Sequence, residues 1–87
     1  ENWRVRKTAA WALGEMGPGA RDAVPALIKA LQDDVDDMRW HAAVALGKIG
    51  PDARDAIPAL TEALQDKDPY VRKKAADALE KIQSQVD

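Results

Sequence analysis

The side chains with chemistry to offer are few in this chain. There is no cysteine and a single histidine, His41, so thiolate catalysis and disulfides are excluded. A metal site built on His41 would need further ligands from carboxylates, because zinc and iron sites take three or four well-placed donors. The sequence places no such set around it. No Ser/His/Asp arrangement is visible, and no Gly-x-Gly-x-x-Gly follows a strand. The paired acids Asp33-Asp34 and Asp36-Asp37 flank Val35, where carboxylates suit the positive end of a following helix. No catalytic residue, no cofactor and no metal is therefore expected. What remains are tryptophans and lysines, which serve contact rather than reaction.

Their places become meaningful through an internal period. Arg6, Arg39 and Arg72 stand 33 residues apart, as do Pro25 and Pro58. Ala20–Ile49 and Ala53–Ile82 agree at 18 of 30 positions. A period of this length is the mark of a solenoid, whose units bury their apolar faces only against one another. Positions that stacking requires should agree among copies; positions free of that duty vary. Four columns of the repeated helix vary: Lys7/Trp40/Lys73, Thr8/His41/Lys74, Trp11/Val44/Asp77 and Glu15/Lys48/Lys81. Trp40, Val44 and Lys48 are spaced by four, and His41 lies three before Val44, so all four share one side of a helix. Trp11 and Trp40 stand where other copies carry charged or polar residues, a setting typical of interface anchors. Trp3 takes the place of Pro69 at a helix start, where packing at the edge is the simpler role.

The elements that position these columns are helices. Val5, Ala9, Ala12, Leu13 and Met16 fall at helical spacing from Asn2 to about Met16, and Gly17-Pro18-Gly19 stops the run. A second helix is expected over Ala20–Gln32, beginning in earnest near Asp22, whose carboxylate is placed to cap it, with Pro25 close to the first turn. Its inward stripe is Val24, Leu27, Ile28 and Leu31. The third runs from Asp36 or Asp37 to Ile49, with Met38, Ala42, Ala45 and Ile49 on one face and Ala43 and Leu46 beside it. Gly50-Pro51 ends it. Ala53–Gln65 repeats the second helix with Ile57, Leu60 and Leu64 inward. Asp68-Pro69 then opens a fifth helix that reaches about Gln83. Gly14 and Gly47 sit inside helices at about 1 kcal/mol each, which points to close helix approach. The recurring Arg6, Arg39 and Arg72, with Arg21, Arg54, Asp22, Asp55, Asp33 and Asp66, read as a ladder of Arg–carboxylate and Arg–carbonyl contacts between turns.

Composition narrows the function classes. The 87 residues hold 13 basic and 15 acidic side chains, for a net charge of −2, which is not the balance of a polyanion binder. Lys7, Lys48, Lys73, Lys74 and Lys81 nevertheless give the variable face a positive tendency. No apolar run approaches the roughly 20 residues that span a bilayer, so no membrane partner is expected. Apolar residues make up 46% of the chain and charged ones 32%, as in a folded chain rather than a disordered one.

Val/Met-Arg-x-x-Ala-Ala-x-Ala-Leu-Gly-x-Ile/Met-Gly-Pro, followed by Ala-Arg-Asp-Ala-Val/Ile-Pro-Ala-Leu, resembles the HEAT-like repeat of phycobilisome lyases and consensus designs similar to it. The resemblance implies an all-α fold, a right-handed α–α superhelix of five antiparallel helices. It divides the chain into a half repeat over 1–17, a full repeat over 18–50 and a last repeat over 51–87. In that last copy Asp77, Glu80, Gln83 and Ser84 replace Val44, Gly47, Gly50 and Pro51, as a polar closing cap would require. The N-terminal side lacks the outer helix that would complete its first repeat. Self-association through that edge, or continuation upstream, is the expectation there. The resemblance also implies that the variable columns line a concave groove formed by the second helices of the repeats, and that the chain is a protein-binding or scaffold module. A non-catalytic piece of a bilin lyase or related HEAT-like enzyme is the alternative. HEAT-repeat hydroxylases are similar in architecture but hold iron with His-Glu pairs, and here Ala42 follows His41. HEAT-like DNA glycosylases hold nucleic acid in such a concavity, a further alternative that the acidic total disfavours.

Overall fold

The computed structural model describes residues 21–83. Over them the chain forms four α-helices: α1 (Val24–Ala30), α2 (Asp36–Ile49), α3 (Ile57–Ala63) and α4 (Pro69–Gln83). A 3₁₀ segment, Gly50–Ala56, leads into α3. No strand occurs among the described residues. The helix expected over Asn2–Met16, with Lys7, Thr8, Trp11 and Glu15 on it, lies outside them.

The two long helices begin and end where the sequence places them, at Asp36 and Ile49 and at Pro69 and Gln83. Gly50 closes α2 with a φ of +80°, a conformation that costs glycine little and other residues much. Asp68 opens α4: its carboxylate Oδ1 accepts from the amides of Tyr70 (2.7 Å) and Val71 (3.3 Å), satisfying two donors that a helix start leaves free. Val35 holds the matching place before α2 and supplies no side-chain cap. There the acids come one residue later, as Asp36 and Asp37 in the first turn.

The shorter helices correct the sequence reading. Neither runs as one α-helix from an Asp cap. Residues 21–23 form a 3₁₀ turn, α1 starts at Val24, and its cap residue is Ala23 rather than Asp22. In the next copy the 3₁₀ segment kinks at Ala53 (φ −95°, ψ 19°) before α3 begins. The cause is Pro25 and Pro58 in the first turns of α1 and α3. A proline ring lacks the N–H for an α-helical bond and clashes with the carbonyl four residues back, so it is tolerated only in the first turn, and each regular α-helix begins one residue before its proline.

The core is continuous and built from small and aliphatic side chains. Val24, Leu27 and Leu31 from α1, Ala42, Ala43, Ala45, Leu46 and Ile49 from α2, Leu60 and Ala63 from α3, and Val71, Ala75, Ala78 and Ile82 from α4 form one buried cluster. Ile28, Ile57 and Leu64, expected inward, are half-buried at its margin. The most extensive contact is α2 against α4. Gly47 makes it close: a Cβ built there would meet Ala78 Cα at 3.1 Å and Ala78 Cβ at 3.3 Å. The glycine inside α2 therefore serves helix approach, as its place in the sequence implies.

An arginine ladder ties the turns. Arg39 is only 7% exposed. Its Nε and Nη2 donate to the Asp66 carboxylate at 2.8 and 3.1 Å, and its Nη1 donates to the carbonyls of Asp33 (2.8 Å) and Asp34 (3.1 Å). One repeat later Arg72 Nη1 donates to the Asp66 carbonyl at 2.8 Å. The turn carboxylates repeat as well: Asp33 accepts from the Val35 amide and Asp66 from the Asp68 amide, each at 2.9 Å. Arg21, Asp22, Arg54 and Asp55, also expected in this ladder, are exposed and stand outside it.

Candidate partner-binding groove

The packing of α2 determines which of its side chains remain available. Eight of its fourteen residues are buried. Asp36, Asp37, Trp40, His41, Val44 and Lys48 are not, and they fall along one stripe at spacings of three and four. Four of these six are the variable positions singled out from the repeat. The matching stripe on α4 carries exposed Lys73 and Lys81 and half-buried Lys74 and Asp77. Between the two stripes lies an open groove of about 450 Å³, lined by Asp37 and Trp40 from α2 and by Tyr70, Lys73 and Lys74 from α4.

Each wall is held by local bonds. The Trp40 indole Nε1–H donates to Asp37 Oδ1 at 3.1 Å, one turn back on the same helix. The His41 ring stacks beside it, with centroids 3.8 Å apart and planes inclined at 31°. His41 Nδ1 lies 2.7 Å from the Asp37 carbonyl. A carbonyl only accepts, so Nδ1 carries the proton in this contact. Trp40 thus packs over its own helix and against the core, and its half-buried indole still forms part of the groove wall. On the facing helix Lys73 Nζ lies 3.7 Å from Asp77 Oδ2, an exposed pair of the kind that contributes little. Lys74 makes no ion pair with another described residue.

The structure brings Trp40, Lys73 and Lys74 to one groove and sets His41 against the tryptophan. Val44 is half-buried and Lys48 exposed further along α2. Lys81 packs its stem near Gly47 at the far end of the α2–α4 contact. Two lining residues escaped the sequence reading: Asp37 and Tyr70. Tyr70 is 67% exposed and is the one large apolar side chain standing out among the described residues. A signal for both was present. They occupy the same repeat position, they differ between copies, and each lies three or four residues before residues of the variable columns. Asp37, in the first turn of its helix, reads as a helix-start acid instead, and Tyr70 drew no reading of its own.

A second cluster lies at the helix starts and is electrostatic. Burial alone would push the Asp66 carboxyl up, but the hydrogen bond from Arg39, the Asp68 amide and the charges of Arg39 and Lys67 outweigh it and hold it below the ordinary carboxylate range. Arg39 is correspondingly raised, first by its hydrogen bond to Asp66 and against the opposing effect of burial. Asp36 and Asp68 share a hydrogen bond that raises Asp36 and lowers Asp68. Asp68, as the cap of α4, accepts from two amides, which favours its carboxylate form and holds it lower than Asp36.

Among the described residues no three His, Asp or Glu side chains are grouped to hold a metal ion, and no helix is long and apolar enough to cross a membrane. A comparison with curated proteins gave no match. A family profile described as HEAT repeats matches residues 1–54 and 39–87, which together span the chain. That profile covers HEAT repeats at large and does not single out the phycobilisome lyase type. With helices repeating every 33 residues, a buried arginine tying successive turns and this match along its whole length, the chain belongs to the HEAT-repeat family.

Proposed function

We propose that the chain is a protein-binding module whose contact surface is the stripe of non-repeating side chains on the second helices of the repeats. HEAT repeats generally mediate protein interaction or scaffolding. The observation that carries the finer reading is the groove between α2 and α4. Its walls hold an indole, an exposed tyrosine and two lysines, and the indole and the lysines stand at positions the repeat leaves free to vary. Trp40, His41, Val44 and Lys48 supply one wall and its continuation; Lys73, Lys74, Asp77 and Lys81 supply the other. Lys7, Thr8, Trp11 and Glu15 extend the same columns by one repeat. In this reading the right-handed superhelix of five helices makes the surface concave, and the chemistry is recognition without catalysis.

An aromatic anchor of this kind typically loses about 2 kcal/mol of binding on truncation, a factor of roughly 30 in affinity. The test is affinity capture by the wild-type chain beside Trp11→Ala/Trp40→Ala. Helicity by circular dichroism should be retained, while partners held by the wild type should be lost. Capture of the same partners by the double variant would sink the reading.

A further inference from the structure

We infer that the groove between α2 and α4 selects an acidic peptide segment, with an aliphatic or aromatic side chain seated between Trp40 and Tyr70 and carboxylates directed to Lys73 and Lys74. The inference rests on the groove being a protein contact surface and adds the chemistry of what it takes. Three observations carry it. The lining is mostly apolar, supplied by Trp40 and Tyr70, and Tyr70 is 67% exposed, so a large apolar surface lacks a cover. The charges of the lining are unbalanced, with two lysines against one aspartate in a chain whose net charge is −2. The aspartate is already engaged, because Asp37 accepts from the Trp40 indole, whereas Lys74 has no ion-pair partner among the described residues and Lys73 has a long, exposed one. Apolar surface beside one unpaired and one loosely paired ammonium group is complementary to an apolar side chain flanked by carboxylates. A nucleic acid also offers ring faces and negative charge, but the acidic total and Asp37 in the wall oppose a polyphosphate chain.

The test uses the whole chain and four probes: the end-blocked peptide Glu-Glu-Leu-Phe-Glu-Glu, its counterparts with glutamine or lysine in place of glutamate, and a ten-residue oligothymidylate. The readout is the indole N–H resonance of Trp40 in a ¹⁵N–¹H spectrum, assigned by its loss in Trp40→Phe. The acidic peptide should shift that resonance saturably, at least tenfold more tightly than the glutamine peptide. Added salt should weaken it. Lys73→Gln/Lys74→Gln, both at surface positions and so compatible with folding, should reduce the affinity about tenfold with an unchanged circular dichroism spectrum. Equal binding of the glutamine peptide at the same resonance would overturn the acidic preference and leave the groove as a protein contact surface. Preference for the lysine peptide or the oligothymidylate would overturn it outright. If no probe moves the Trp40 resonance the inference falls, while the underlying reading is judged separately by capture with the tryptophan variants.

Discussion

Arg39 is charged, nearly buried and repeated every 33 residues, and those three facts together define its work. Its bidentate bond to Asp66 and its two carbonyl bonds leave little of the guanidinium unsatisfied. Removing one member of such a pair leaves the other buried alone, which costs roughly 3 kcal/mol. Asp66→Asn should therefore lower the thermal midpoint at neutral pH. Since the folded Asp66 value lies below the ordinary 3.8, its contribution is complete above that value and is lost as pH falls through the folded one. The gap between wild type and Asp66→Asn should close in that acid range, which melts at successive pH values would check. Asp36 behaves oppositely. Its value is raised, mainly by its hydrogen bond to Asp68, so its contribution is present at acid pH and is lost as pH rises through the raised value. Asp36→Asn should raise the midpoint at neutral pH, and the benefit should fade on acidification. Gly47 gives a purely steric case. Valine there would drive a branched side chain into the Ala78 backbone, 3.1 Å from the Cβ position, and overpacking of this kind costs about 1–3 kcal/mol. Denaturant titration of Gly47→Val should show it. The Arg39–Asp66 rung and the glycine were legible in the sequence, the one from its recurrence and the other from its place inside a helix against propensity, whereas Arg21, Asp22, Arg54 and Asp55 recur and yet stand exposed outside the ladder.

At the scale of elements, the long helices were easier to read than the short ones. Asp68-Pro69 and Gly50-Pro51 are strong local punctuation, and the cap and the positive φ follow from them. Asp68→Ala should cost about 1 kcal/mol through the two amides it leaves unpaired, measured as a loss in unfolding free energy. The same change at Val35 has no cap to remove and isolates the effect. The short helices were misread because Asp22 looks like a cap and the apolar stripe is helical from Ala20 on. Pro25 and Pro58 override that stripe, since a missing N–H and a ring clash are local and obligatory while periodicity is only a preference.

At the scale of the molecule, the stacking of α2 on α4 sets up a comparison of the two faces. Ala43, Gly47 and Gly50 are buried on α2, whereas Ala76, Glu80 and Gln83, their counterparts 33 residues on, are exposed on α4. We propose that Glu80 and Gln83, with Asp77, close the stack as a polar cap. Asp77→Val/Glu80→Gly/Gln83→Gly should then expose a face like that of α2 and raise self-association above that of the wild type, seen by light scattering over a concentration series. An unchanged association state would count against the cap.

The sequence by itself determined the repeat, the ends of the long helices, the small-residue core and the side chains that stacking leaves free, because each of these follows from a period or from a rule acting within a few residues. Only the tertiary structure decided that Asp37 and Tyr70 complete a groove with Trp40, Lys73 and Lys74. Its walls come from two helices one repeat apart. Their lateral register is fixed by how closely Gly47 lets them approach and by the reach of Arg39 between turns, and such distances belong to packing rather than to spacing along the chain.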